Sequence, residues 1–192
     1  MYLSDNNDES MLGNFLSDFV NKSLENNFEH SIKRGIFMHR KLNGFTDSNL
    51  VFLESKKRIS SLNRRFAGVL IDMFYDHFLS KNWCKYSSMP LEEYADNFYN
   101  MLKRFSYCLP DKLIARMPLM IEENWLVSYR KIDGIKKSLD RISWRFSKSK
   151  HPLLNPADEL VRNYESLELD FKTFFPYTIE YANKLKGIHV CY

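Results

Sequence analysis

Residues 64–82 read RRFAGVLIDMFYDHFLSKN, and their reading decides the fold class. Between Phe66 and Leu79 apolar side chains fall on nearly every helical face, interrupted only by Asp72, Asp76 and His77. A helix apolar all round is a core helix. The purely apolar run, Phe66 to Ile71, is far shorter than the about 20 residues a membrane span requires. The expectation is a buried helix of a globular protein that neither enters nor crosses a membrane.

Outward from this segment the period stays helical. Residues 10–24 carry Met11, Phe15, Phe19 and Val20 near one stripe, with Ser10 as a candidate cap. Residues 30–42 place Ile32, Gly35, Ile36 and His39 on one inward face, and Asn43-Gly44 is expected to end that helix. A polar turn, Thr46 to Asn49, leads into a helix over 49–63. Pro90 opens a helix reaching Phe105, Pro118 stands near the start of another over 118–130, and 131–146 is amphipathic and basic. A loop over 147–156 precedes a helical stretch, 157–186, expected to bend or break at Pro176. Six Gly and six Pro in 192 residues fall well below ordinary usage of roughly 7% and 5%. That shortage of turn residues argues against an all-β sandwich or barrel. With 44% hydrophobic residues, and 15 Phe, 11 Tyr and 3 Trp, the chain can bury a sizeable core, which excludes disorder. One all-α domain over residues 1–192, a helical bundle, is the expected architecture.

Charge and cysteine usage narrow the function classes. Lys and Arg total 28 against 24 Asp and Glu, and a formal charge of +4 is too small to argue for a nucleic-acid partner. The basic residues nevertheless cluster, in Lys33-Arg34, Arg40-Lys41, Lys56-Lys57-Arg58, Arg64-Arg65 and Lys136-Lys137. Cys84, Cys108 and Cys191 show no paired metal spacing and read as reduced thiols of a cytoplasmic protein.

The polar residues on inward faces carry the chemistry. Asp72 and Asp76, at i and i+4, share a face of an otherwise apolar helix, and buried carboxylates need an offsetting charge. A divalent cation is one solution; a salt-bridge network with Arg64 or Arg40 is the other. Asn14 and Asp18 repeat the spacing, and His39 and His77 stand nearby in the same reading. Asp18, His39, Asp72, Asp76 and His77 offer O and N donors without a thiolate, which suits Mn²⁺, Mg²⁺ or iron better than structural zinc.

The runs GNFLSDFV (13–20), GIFMHR (35–40), FTDS (45–48), DMFYDHFLSKNW (72–83), NWLVSY (124–129) and FFP (174–176) together resemble the acyl carrier protein phosphodiesterase family along the whole chain. The resemblance implies hydrolysis of the phosphodiester joining 4′-phosphopantetheine to a serine of holo acyl carrier protein. It also implies a divalent metal, typically Mn²⁺, and an all-helical fold similar to that of His-Asp metal phosphohydrolases. Carried onto this sequence, the metal shell falls to Asp18, His39, Asp72 and Asp76. The catalytic set falls to Asn14, Arg40, Asp47 and His77, with Arg40 facing the phosphate and His77 a ligand or general acid. Acyl carrier proteins being acidic, Lys33, Arg34, Lys56, Lys57, Arg58, Arg64 and Arg65 are the expected steering residues. The sequence departs from the family at Asn43, where Asp is common, and at Asn49-Leu50, where His-Pro is. It also starts at Tyr2-Leu3-Ser4 without the apolar, His-bearing segment that usually precedes it, so an upstream start or an altered site is expected. Binding of acyl carrier protein without turnover, and hydrolysis of another phosphate substrate, are the alternatives.

Overall fold

The computed structural model describes residues 1–148 and 150–188, and Cys191 lies outside them. Among the described residues there are twelve α-helices and no strand, as the composition requires. In chain order they are α1 (Asp8–Leu16), α2 (Lys22–Glu25), α3 (His30–Ser48), α4 (Leu50–Arg58), α5 (Ala67–Lys81) and α6 (Leu91–Arg104). There follow α7 (Asp111–Ile114), α8 (Met117–Glu122), α9 (Trp125–Ser128), α10 (Ile132–Phe146), α11 (Pro156–Arg162) and α12 (Tyr164–Lys186). No described helix is long and apolar enough to cross a membrane.

The helices gather into two compact units. The first takes residues 1–49, 98–116 and 174–192; the second takes 50–97 and 117–173. In the first, α1 and α3 approach backbone to backbone. A Cβ on Gly13 would stand 2.8 Å from the Ile32 carbonyl carbon, and one on Gly35 would stand 2.7 Å from the Asn14 backbone nitrogen. Only glycine admits so close an approach of two helices. Leu12, Leu16, Ile32 and Ile36 fill the core of this unit, Met38 and Leu42 pack with Ala182 and Leu185, and the Phe45 ring stacks on Tyr181 at 4.5 Å. The Arg34 guanidinium, buried, pairs with Asp5 at 3.2 Å and donates to the Leu185 carbonyl.

The second unit is built around α5. Leu70, Ile71, Phe74 and Phe78 are fully buried, and a run of rings from Phe52 through Tyr75 to Phe171 packs edge to face at 5.8 and 5.4 Å. Two buried carboxylates are fully used. Asp170 accepts from Arg58 Nε at 2.7 Å, Arg58 Nη2 at 3.1 Å and Ser55 Oγ at 2.8 Å. Glu159 accepts from the Ser60 backbone N–H and hydroxyl and from Asn63 Nδ2; burial opposes its ionisation, yet these hydrogen bonds hold its carboxyl below the usual range. Charge buried in this way is sustained only by such a complete set of donors.

Several boundaries differ from the sequence expectation. Asn7, not Ser10, caps α1, and α1 stops at Leu16 rather than running to 24. By contrast α3 runs straight through Asn43-Gly44, because Gly44 sits on an open face and costs only about 1 kcal/mol there. Residues 118–130 are split at Asn124, which is left-handed with φ 44°. The helix expected over 157–186 breaks at Asn163 instead of at Pro176. Pro176 lies inside α12 on its exposed side, where water can satisfy the freed carbonyl.

Candidate active site

Five of the expected residues belong to the first unit: Asn14, Asp18, His39, Arg40 and Asp47. The Gly13–Gly35 contact places the end of α1 beside α3, and His39 is one helical turn beyond Gly35. As a result Asp18, in the turn after α1, reaches His39: Oδ1 is 3.2 Å from Nε2. His39 is half-buried while Asp18 is 70% exposed, so the pair opens to solvent. The hydrogen bond to His39 holds the Asp18 carboxyl below its ordinary value, against the partial burial that would raise it. Asp18 is therefore ionised at neutral pH.

Asn43 also reaches His39, with Nδ2 at 2.8 Å from the same Nε2. One ring nitrogen cannot donate to a carboxylate and accept from an amide together. Either the proton on Nε2 serves Asp18 and the amide turns its oxygen inward, or the Nε2 lone pair serves Asn43. The tautomer of His39 and the orientation of Asn43 are thus set jointly, a coupling the sequence showed only as an i, i+4 spacing.

Arg40 pairs with Glu25 of α2 at 2.8 Å, not with Asp47 or Asp72 as the sequence left open. A guanidinium has five donors, and Arg40 is exposed enough to offer those that Glu25 does not use. Asp47 is exposed in the last turn of α3, seven residues on from Arg40 and on the same side of the helix. Asn14 is buried, accepts from the Met1 amino group at 2.7 Å through Oδ1, and leaves Nδ2 unpartnered among the described residues.

Asp72, Asp76 and His77 belong to the second unit. The two carboxylates, expected inside, reach solvent. Residues 69, 72 and 76 fall on one stripe at i, i+3 and i+7, and Val69 on that stripe is 48% exposed, so α5 has an outer face after all. Protein crowded around Asp76 still strips part of its hydration and pushes its carboxyl up to about 6. His77 is different. It is 1% exposed, its Nδ1 donates to the Tyr129 carbonyl at 2.7 Å, and its Nε2 accepts from the Tyr164 hydroxyl at 2.8 Å. Lys81 donates to that hydroxyl at 3.0 Å and to Glu168 at 3.0 Å. Burial lowers the His77 pKa, so the ring is neutral, with both nitrogens engaged and none left for a metal or a leaving oxygen. In this arrangement His77 braces the turn of α5 that carries Asp76. Tyr164→Phe leaves Nε2 buried without a donor and is expected to destabilise the protein by about 1–2 kcal/mol, read as a lower thermal midpoint.

Among the described residues no three His, Cys, Asp or Glu side chains are gathered as a group able to hold a metal ion. The donors expected for one occur in pairs, Asp18 with His39 and Asp72 with Asp76. In type, oxygen and imidazole nitrogen, they fit a hard or borderline divalent ion. Cys84 is exposed and Cys108 half-buried, both as free thiols.

A family model described as acyl carrier protein phosphodiesterase matches residues 1–178. Among curated proteins, the chain is 30% identical over 182 residues to an acyl carrier protein phosphodiesterase of Escherichia coli O6:H1, covering 92% of each. It is 30% identical over 174 residues to that of an Enterobacter species, covering 88% of each. The Photorhabdus laumondii protein of the same name is 28% identical over 180 residues, with 91% of this chain and 88% of the relative covered. No solved structure matches the chain.

Proposed function

We propose that this chain, which belongs to the acyl carrier protein phosphodiesterase family, hydrolyses the phosphodiester between 4′-phosphopantetheine and the serine of holo acyl carrier protein. The products are apo acyl carrier protein and free 4′-phosphopantetheine. The observation that carries the reading is the match over residues 1–178, which takes in every residue of the candidate site. The reading also takes the helical fold to be of the His-Asp metal phosphohydrolase type and the enzyme to work in the cytoplasm.

The residues divide by what their surroundings allow. Arg40, anchored on one side by Glu25, presents its remaining N–H groups to a phosphodiester oxygen, where a planar fork matches phosphate geometry. Asp18, ionised, orients His39, whose Nε2 holds or accepts a proton according to the state of Asn43. Asp47 and Asn14 stand as polar support on α3 and α1. His77 acts through the position of α5, as a positioning residue. The donors proposed for divalent ions, Mn²⁺ first and Mg²⁺ or Fe²⁺ otherwise, are Asp18 and His39 in the first unit and Asp72 and Asp76 in the second. Such an ion supplies charge for the phosphoryl oxygens and lowers the pKa of a bound water.

The test is mass spectrometry of holo acyl carrier protein after incubation with the protein, with Mn²⁺ and separately with chelator. The phosphopantetheinyl mass is expected to disappear with Mn²⁺ and to persist with chelator. Persistence under both conditions overturns the activity, and disappearance under both overturns the metal requirement.

A further inference from the structure

His77 and His39 use their ring nitrogens differently. Buried His77 spreads its partners over the ring, Nδ1 on the Tyr129 carbonyl and Nε2 on the Tyr164 hydroxyl, as a ring that braces its surroundings does. His39 gathers both partners on one nitrogen. Asp18 Oδ1 stands 3.2 Å and the Asn43 side-chain amide 2.8 Å from Nε2, while Nδ1 makes no hydrogen bond among the described residues. The Asn43 contact follows from its i, i+4 spacing to His39 on α3. Asp18 arrives from the turn after α1, so the geometry of α3 does not account for its reaching the same atom.

A carboxylate can only accept a hydrogen bond. With Asp18 upon it, Nε2 must carry the ring proton, and the Asn43 amide must turn its oxygen to the ring in place of its nitrogen, a half-turn that exchanges two atoms of nearly equal size. Two oxygens thus converge on the Nε2 proton. Around an octahedral ion of Mg²⁺ size, bonded at about 2.0–2.1 Å, neighbouring donors stand about 3 Å apart. The spacings about Nε2, 2.8 and 3.2 Å, fall on either side of that figure. Hydrogen bonds have the same length; convergence on one nitrogen, with the other left idle, is what separates a donor set from a brace. We propose that Asn43 Oδ1 is the third donor, beside Asp18 Oδ1 and His39 Nε2, for a divalent ion in the first unit. This rests on the reading of Asp18 and His39 as donors given above, and it adds a neutral oxygen of the kind that suits Mg²⁺ and Mn²⁺. Asp18 is 70% exposed and Asn43 is exposed, which leaves the remaining positions open to water and a phosphate oxygen. When the ion binds, the Nε2 proton passes to solvent and Nδ1 takes one up, so the ring stays neutral and no net proton is released. Of the three donors Asp18 alone carries charge, so a second carboxylate in place of the Asn43 amide strengthens the site.

The test is calorimetric titration with Mn²⁺ alone. It uses the full chain carrying Asp72→Asn and Asp76→Asn, which removes the second unit's donors, and the same protein with Asn43→Leu, Asn43→Asp or Asp18→Asn added. Melting temperatures taken without metal establish that each is folded. The parent is expected to bind a single Mn²⁺, Asn43→Leu to bind it about tenfold more weakly or worse, Asn43→Asp about tenfold more tightly, and Asp18→Asn to lose it. Equal affinity in Asn43→Leu and the parent, or no gain in Asn43→Asp, overturns Asn43 as a donor. If Asp18→Asn also binds like the parent, or the parent takes up no Mn²⁺, the reading of Asp18 and His39 as donors falls with it. Phosphopantetheine release by the wild type is read separately. Mn²⁺ binding that depends on Asn43, without release, leaves the third donor standing and overturns the activity, while release together with an unaffected Asn43→Leu affinity does the reverse.

Discussion

Gly35→Ala is expected to lower the melting temperature by roughly 6–12 °C, and Gly13→Ala by a similar amount. At either position the new methyl group meets backbone of the facing helix, the Ser10 carbonyl and Asn14 nitrogen in one case and the Ile32 carbonyl in the other. Backbone within a helix cannot swing aside as the end of a flexible side chain can, so the axes of α1 and α3 must separate. Overpacking of this kind costs about 3 kcal/mol or more, at the upper end of its usual range. In a chain of this size each kcal/mol lowers the midpoint by about 2–4 °C. Gly44→Ala is the control on the same helix. Nothing stands within 4 Å of its added Cβ, and the better helix propensity of Ala is expected to raise stability by about 1 kcal/mol. Thermal denaturation followed by circular dichroism separates the three variants. If Gly35→Ala melts with the wild type, the close crossing of α1 and α3 is wrong. The same crossing brings Asp18 to His39, so the glycine variants are also expected to lose activity below their melting temperatures.

Asp76→Asn is expected to reduce phosphopantetheine release by about 100-fold or more while making the folded protein more stable at neutral pH. Loss of hydration pushes the Asp76 pKa up to about 6 in the folded state, above the ordinary aspartate value of about 3.9 that holds in the unfolded chain. The folded protein therefore holds more protons than the unfolded chain between these values, and stability falls as pH rises through that window. Above it the charged carboxylate carries the whole penalty; below it both states are protonated and the penalty vanishes. Because Asp76 touches solvent, the effect at pH 7 is about 1 kcal/mol, or roughly 3 °C. The melting curves of wild type and variant are expected to be separated at pH 7.5 and to converge near pH 4. A variant less stable than wild type at pH 7.5 would show that the carboxylate is held by compensating partners rather than exposed to a desolvation cost.

How far the sequence goes depends on whether the deciding partner is local. α5 was legible because its apolar residues outnumber the faces available, and α6 because Leu91, Ala95, Phe98 and Leu102 recur at helical spacing after Pro90. Local spacing also set Ile32, Gly35 and Ile36 on a buried face of α3. It misjudged Asp72 and Asp76, since an otherwise apolar helix can spare one narrow stripe for solvent. Gly44 and Pro176 misled for the same reason: on an exposed face a weak helix former is tolerated. Arg40 pairing with Glu25, and His77 bonded to Tyr129 and Tyr164, are contacts over 15, 52 and 87 residues of sequence that no periodicity displays. The candidate residues were thus named by motif, while their separation into an exposed Asp18–His39 pair and a sealed His77 required the tertiary structure.

The first unit draws on the beginning, middle and end of the chain, and the Arg34 guanidinium finds its Leu185 carbonyl across 151 residues. On a ribosome adding about 5–20 residues per second, Arg34 waits roughly 8–30 s before that acceptor is made. During that interval α1 and α3 can pair through their glycines, but Met38 and Leu42 have no Ala182 or Leu185 to cover them. Nascent chains stalled before residue 174 would accordingly expose this apolar face to chaperones. A protease cut in the segment after α11 would likewise leave neither fragment with all the pieces of the first unit.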